Sequence, residues 1–569
     1  MAQRDARRVE VAISVRTPMG RKIVHPTNAV GSDLQPVLPD DSRDATHVSG
    51  QTAGFTVYHG PVVKDQANAA RAEPMGGNAI RGGLWTAIQV VVNKAVSMAG
   101  TLANLYLLAP SEVGIAAVAL SVQSLVMVMP AFTLSDALIA RPASVRAFMP
   151  IAYRLCLAVS VPMMMLLVAW GLWRADAEHD RAYLLAGLAV AFRPVADLML
   201  LGPQTRLRSD LEFAAMSRID MVCFLASTAS TVAMAATGFS SLSILVPPIA
   251  FTAVRAWAYR RAERRPRQDS APVEPGVGRR MFREYALSGL GQYVHGGMFM
   301  SAPLIIDHFF GAAATGLFQN AFLLSTVINS VVATGIGLVL QPIFAQMDQD
   351  PERQSQAFVR ACGAIAAVAM PACVCQSVIV GPLLRLALPE SWLGAIPMAV
   401  LMSAGMAFYF PVNPAMALLK AQRRFTAFFV WQGVQLALVI GGMVAAAVLL
   451  EEEGPMPVVA VYASYHLVMS PVGVWLCVRG TGASRKALVS VFMLPLAATL
   501  ASLLPVAMLA FASHSLPDFA ARDLLTAIVA PAAMLPAYFL ALRRLAPDTW
   551  NDCLQIYGVL LAGVARRRR

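Results

Sequence analysis

The stretch VVVNKAVSMAG, residues 90–100, sets a single ammonium group inside an apolar run. The run covers residues 83–108, and Lys94 is its only charged residue. About 20 predominantly apolar residues suffice to cross a bilayer as a helix. Lys94 stands roughly ten residues in, about 15 Å deep at about 1.5 Å per residue, too deep for easy snorkelling to either surface. A lysine at the centre of a span costs about 2.5–3.5 kcal/mol on insertion scales. A hydrated cavity or an acidic partner lowers that cost, so the residue raises the question of what it faces.

The whole chain repeats the pattern. Of 569 residues, 57% are hydrophobic and 14% charged, and mean hydropathy is +0.59. A soluble domain carries about 25% charged residues. The composition reads as an all-α integral membrane protein. Fourteen runs qualify as spans: 83–108, 113–140, 149–173, 182–204, 219–238, 242–258, 285–307, 315–345, 360–381, 394–419, 426–450, 457–478, 487–512 and 524–542. The run 242–258 is the poorest, being short and holding Pro247 and Pro248.

The net charge of +12 would suggest nucleic acid for a soluble protein. Here the connecting segments alternate instead. One set, counted with Arg154 and including the linker 259–284, holds 25 cationic residues; the other holds four, Arg174, Arg181, Arg385 and Arg522. Lys and Arg near span ends mark the cytoplasmic side. Both termini are then cytoplasmic, as an even span number requires, and no nucleic-acid partner is expected. The basic, Pro-rich linker 259–284 suits anionic lipid headgroups.

Residues 1–80 read as a disordered cytoplasmic tail without the apolar core of a secretory signal. Met75, just before the first run, is an alternative start. Six of the seven cysteines lie in apolar runs and read as small apolar filler. No phosphate-binding loop of the GxxxxGK type, no HExxH and no nucleophile elbow occurs. The external segments are too short for a catalytic domain. No metal and no cofactor is expected.

Two echoes suggest an internal repeat. RPVADLMLLGPQTR (193–206) aligns with FPVNPAMALLKAQR (410–423) at an offset of 217, matching Pro194 with Pro411, Met199 with Met416 and Arg206 with Arg423. LLAPSEVG (107–114) echoes HFFGAAATG (308–316) at an offset of 202. The expected organisation is an N-lobe of six spans (81–258), the linker, a C-lobe of six (285–478), and two further spans with a basic tail (479–569). Two parallel six-helix halves describe a transporter with its site between them.

The fragments LLAPSEVG, SDALIARP, DQDPERQSQAFVRA and LPESWLGAIPM resemble those of the Wzx-type polysaccharide flippases. That family lies in the multidrug/oligosaccharidyl-lipid/polysaccharide exporter superfamily, and the resemblance covers about residues 81–480. It implies two lobes around a central cavity, alternating access, and undecaprenyl-pyrophosphate-linked oligosaccharide as substrate. Such a protein serves exopolysaccharide, capsule or O-antigen synthesis in the bacterial inner membrane. Expected partners are the lipid-linked substrate, membrane lipids, a polysaccharide polymerase and a chain-length regulator. A multidrug antiporter driven by protons or sodium, a lipid II flippase and a membrane polymerase are the alternatives.

Under that resemblance Lys94 contacts pyrophosphate or sugar, with Asn93 beside it as neutral donor and acceptor; alternatively Lys94 pairs with an acid for structure. Arg193 and Asp197, four apart and on one helical face, either neutralise each other or leave Arg193 as a second anion contact. Arg141 and Arg206 either pack at the cytoplasmic boundary or guide the headgroup inward. His295, opposite Asn93 at the offset of 202 and within the Gly-rich GQYVHGG, either lines the cavity or packs by a hydrogen bond. Asp307, at the outer end of its span, reads as a solvated acid.

Overall fold

The computed structural model describes residues 75–127, 145–209, 212–263, 277–328, 350–422, 424–479, 485–513 and 519–554, with isolated positions between 340 and 347 and without 552. Residues 1–74, Asp136, Arg141 and most of the linker (264–276) lie outside these. Among the described residues the regular structure is helical and no strand occurs.

The helices are α1 (Met75–Leu107), α2 (Pro110–Val126), α3 (Val145–Ala177), α4 (Arg181–Ala191), α5 (Arg193–Ser209), α6 (Phe213–Ala236), α7 (Leu242–Ala262) and α8 (Val277–Ser325). They continue as α9 (Pro351–Ala387), α10 (Ala395–Met406), α11 (Val412–Ala421), α12 (Phe425–Leu449), α13 (Met456–Val478), α14 (Arg485–Ser502), α15 (Leu504–Ser513) and α16 (Phe519–Leu545). Ten helical stretches among the described residues are long and apolar enough to cross a membrane. Leu242–Ala262 is one of them, so its prolines do not end the helix. Two runs read as spans appear as shorter apolar helices, Pro110–Val126 and Ala395–Met406. Large apolar side chains face outward, among them Val91 at 69%, Met508 at 74% and Leu449 at 78% exposure. In water such a surface aggregates; against acyl chains it is the solvated face.

Local sequence sets the helix ends. Asp180 caps α4 by accepting the Ala182 N–H at 2.8 Å. Asp350 does the same for α9, accepting from Arg353 at 3.0 Å, with Pro351 in the first turn. Glu112 reaches back to the Ala109 N–H at 2.8 Å at the start of α2, where Pro110 opens the helix. Each satisfies a donor that the first turn leaves unpaired.

Helices α1–α7 pack on one another, as do α8–α13, while α14–α16 pack together and against α9. The cores follow this division. Leu167, Tyr183, Ala186 and Val190 belong to the first, Phe318, Phe358, Trp392 and Tyr462 to the second, and Ala498, Tyr538 and Leu542 to the third.

The echoed segments mark two structural devices. In both copies of the first echo a helix is interrupted: α4 gives way to α5 at Phe192, and α10 to α11 across residues 407–411. Pro194 and Pro411 sit at the starts of the second pieces, where a missing N–H costs nothing. The second echo makes the crossing of α2 with α8. Gly311 breaks α8 with φ 81° and ψ 176°, a left-handed conformation that glycine adopts without strain. Beyond the break, a Cβ on Gly114 would strike the Ala312 carbonyl, and one on Gly316 would strike the Pro110 carbonyl. The offset of 202 pairs Gly114 with Gly316 and Pro110 with Ala312, so the contact is reciprocal, as a local two-fold requires. Small residues let membrane helices approach this closely.

Gly114→Ala is therefore expected to lower the melting temperature of the purified protein by several degrees, since overpacking costs about 1–3 kcal/mol. Gly363→Ala is the control, with no atom within 4 Å of its Cβ position. It should hold or raise the melting temperature, because alanine is the better helix former by about 1 kcal/mol. Equal losses in a thermal melt would refute the backbone contact.

Candidate functional site

Along α1, Gln89, Asn93, Ser97, Thr101 and Asn104 recur every three or four residues, a polar stripe in an apolar helix. On α6 the positions Asp220, Cys223, Ser227, Thr228 and Thr231 form a second stripe, and α7 adds Pro248, Thr252 and Arg255. The three faces meet around a cavity of about 460 Å³, into which α5 sends Arg193. Pockets that hold small molecules span about 300–1,000 Å³. Close approach of α1 to α6 depends on Gly100, whose missing Cβ leaves room for the Thr228 methyl.

The charges at this cavity come in pairs. Arg193 donates through Nε to both carboxylate oxygens of Asp197, at 3.0 and 3.1 Å. Arg255 stands 3.6 Å from Asp220. Asp220 also accepts the Tyr259 hydroxyl and, at 3.4 Å, the Gln89 amide. Several polar atoms in the cavity wall are buried without a partner among the described residues: Asn93 Oδ1, Asn104 Oδ1 and Arg255 Nε.

Asn93 and Arg193, singled out from the sequence, thus line one cavity. Asp197 holds Arg193 without itself appearing in the lining. Lys94 is half-buried on α1, about 100° around the helix from Asn93, and is absent from this lining. It has no ion pair among the described residues. Arg206 binds Glu263, its NH1 at 2.8 and 3.1 Å from the two oxygens. His295 lies on α8, its side chain outside what is described, and Arg141 lies outside the described residues altogether. The sequence reading missed Gln89, Ser97, Thr101 and Asn104, although their spacing alone traces the stripe.

A second polar group is shut off from solvent. Asn320, Gln435, Tyr462 and Ser470 are each at most 1% exposed, and each keeps a side-chain atom without a partner among the described residues. Tyr409 and His466 meet edge to face at 4.8 Å beside them.

The two packing groups are joined at the Pro110 end of the bundle. Asp307, expected as a solvated acid, is 6% exposed and bonded to Arg174 of α3. Its partner comes from 133 residues away, which no local reading supplies. Arg174 also pairs with Glu178 at 3.0 Å and lies 4.9 Å above the Tyr183 ring. At the same end the Tyr106 hydroxyl donates to the Ala387 carbonyl.

Residues 106–397 match the model of a family described as polysaccharide biosynthesis protein. The chain belongs to this polysaccharide biosynthesis family. Among solved structures, this polysaccharide biosynthesis protein is similar in fold to the lipid II flippase MurJ in an inward closed conformation. The TM-score is 0.56 at 10% identity, over 80% of this chain and 99% of the other. It is also similar to an inward-facing multidrug resistance MATE family transporter of the MOP superfamily, with a TM-score of 0.52 at 12% identity, over 71% and 98% of the two chains. At such identities the likeness concerns the fold. No curated protein matches in sequence. The family match bears out the polysaccharide resemblance read from the sequence, the fold agrees with it, and this member of the polysaccharide family is a multi-pass membrane protein.

Proposed function

We propose that the chain is a flippase that moves undecaprenyl-pyrophosphate-linked oligosaccharide across the bacterial inner membrane by alternating access. The observation that carries this reading is a polar cavity of about 460 Å³ among apolar helices in a member of a polysaccharide biosynthesis family. A bare charge or sugar in hydrocarbon costs many kcal/mol, and a wall of hydrogen-bonding groups removes most of that cost. The polyprenyl tail stays in lipid while the head crosses. The fourteen spans, two six-helix lobes, two added spans and cytoplasmic termini are part of the proposal, supported by the charge count of 25 to four. So are the polymerase and chain-length regulator as partners. No bond is made or broken, and the protein acts without catalytic residues.

With that orientation the Pro110 end is the outer end. The Arg174–Asp307 pair, the α2–α8 crossing and the Tyr106–Ala387 contact then seal the outer face. Lys94, half-buried on α1 outside the cavity lining, is the pyrophosphate contact. Lys94→Ala is expected to reduce polymer export in cells more than tenfold at normal expression; intact export would remove that role.

A multidrug antiporter expects a cavity dominated by free carboxylates. Here Asp197 is bound by Arg193, and Asp220 by Tyr259, Gln89 and the nearby Arg255, which favours the flippase. The test is reconstitution: proteoliposomes should transfer a fluorescent lipid-linked saccharide between leaflets. Transport of organic cations without movement of the glycolipid would reverse the choice.

A further inference from the structure

We infer that the cavity between α1, α6 and α7 binds an uncharged, hydroxyl-rich sugar unit of the lipid-linked saccharide, and neither its pyrophosphate nor an acidic sugar. This rests on the flippase reading and adds to it the chemical class of the head group.

Charge is the first reason. The charged groups in the lining are Arg193, Asp220 and Arg255; Asp220 faces Arg255, and Arg193 is held from behind the wall by Asp197. Together the four sum to zero. An anion entering beside them has to displace a carboxylate, and an organic cation has to displace a guanidinium. In surroundings of lower dielectric than water each exchange is costly. A neutral ligand disturbs neither pair.

The direction of the hydrogen bonds is the second reason. Thr231 donates its hydroxyl hydrogen to the Ser227 carbonyl at 3.0 Å, and Thr252 donates to the Pro248 carbonyl at 2.8 Å. Toward the cavity both threonines therefore offer lone pairs. Asn93 and Asn104 line the same cavity with amide groups that both donate and accept. A wall of mixed donors and acceptors suits a ligand that carries both. Phosphate and carboxylate offer lone pairs only and leave the wall's acceptors unmatched. A sugar offers several O–H groups, and its own oxygens can accept from the hydroxyls of Ser97 and Thr101 in the wall.

The apolar part of the wall fits as well. Phe224 and Phe251 line the same cavity. A pyranose ring has an apolar C–H face that packs on aromatic rings, while its rim makes hydrogen bonds. Lys94 lies outside this lining, which leaves the sugar and the pyrophosphate with separate contacts.

The experiment uses the purified full-length chain in nanodiscs and three short-prenyl probes. One is a pyrophosphate bearing a neutral N-acetylhexosamine–hexose disaccharide, the second carries a hexuronic acid in place of the hexose, and the third is the prenyl pyrophosphate without sugar. The neutral probe is expected to bind at least tenfold tighter than the uronate probe. Asn93→Leu and Asn104→Leu should each weaken the neutral probe about tenfold and leave the sugarless one unchanged. Thr231→Val serves if the asparagine variants fail to fold. Equal affinity for the two saccharides overturns the inference and spares the flippase. So does unchanged binding of the neutral probe by these variants, which would make the cavity a water-filled vestibule only. Failure of all three probes to bind overturns both readings.

Discussion

Asp307→Asn is expected to open the Pro110 end of the bundle, the outer end in the proposed orientation. In a variant keeping Cys223 alone of the seven cysteines, a membrane-impermeant maleimide applied outside intact cells should label Cys223 at least tenfold faster once Asp307 is replaced. Cys223 lines the cavity, so its labelling reads access to the site. Arg174 and Asp307 join α3 to α8, with side chains 11% and 4% exposed. Removing one partner of a buried pair costs about 3–5 kcal/mol, because the remaining charge is stranded. Glu178, 3.0 Å from Arg174 but 45% exposed, compensates only in part. Under the proposed alternating access the pair belongs to the closed form alone, so that form alone loses this stabilisation, and about 1.4 kcal/mol already shifts a two-state ratio tenfold. Exchanging the charges, Arg174→Asp with Asp307→Arg, should return labelling toward the original rate. Unchanged labelling in Asp307→Asn would mean that the pair is structural and no gate.

The second large effect is expected at Asp220. Its carboxylate gathers the Tyr259 hydroxyl, the Gln89 amide and the Arg255 guanidinium. Asp220→Ala strands all three, and the loss of a buried charged hydrogen-bond partner costs about 1–3 kcal/mol or more. The melting temperature should fall by several degrees and glycolipid transfer by more than tenfold. Asp220→Ala with Arg255→Ala should be more stable than the single losses predict, since interacting neighbours are not additive. The same residue separates the two transport mechanisms. If Asp220→Asn keeps the melting temperature but abolishes transport in a manner dependent on an ion gradient, Asp220 carries a coupling ion and the antiporter reading gains. If transfer survives in proportion to stability, its work is to neutralise Arg255.

Much of this protein is legible along the chain. Hydrophobic runs of about 20 residues can hardly be anything but membrane helices, because an unpaired peptide group in lipid leaves a helix as the cheapest solution. The polar stripe from Gln89 to Asn104 follows from helical spacing. The echo of residues 107–114 with 308–316 pointed to matched glycines, and these glycines make the reciprocal crossing of α2 with α8. Pro194 and Pro411 marked the two interrupted helices. The pairing of Arg193 with Asp197, four apart on one face, was among the readings the sequence allowed.

Helical spacing tells which residues share a face and is silent on what that face meets. Lys94 and Asn93 look equivalent in sequence, yet their directions differ by about 100°, and only Asn93 reaches the cavity. Asp220 and Arg255, 35 positions apart, become partners only when α6 packs on α7. Asp307 looked like a solvated end of a span until α3 brought Arg174 to it. The sequence by itself determined the solvent, the helices and their breaks, because those depend on residues within a few turns of one another. The saturation of Asp220 and Asp307 was decided by tertiary structure, because neutralisation requires a partner within about 4 Å, and Arg255 and Arg174 stand on other helices.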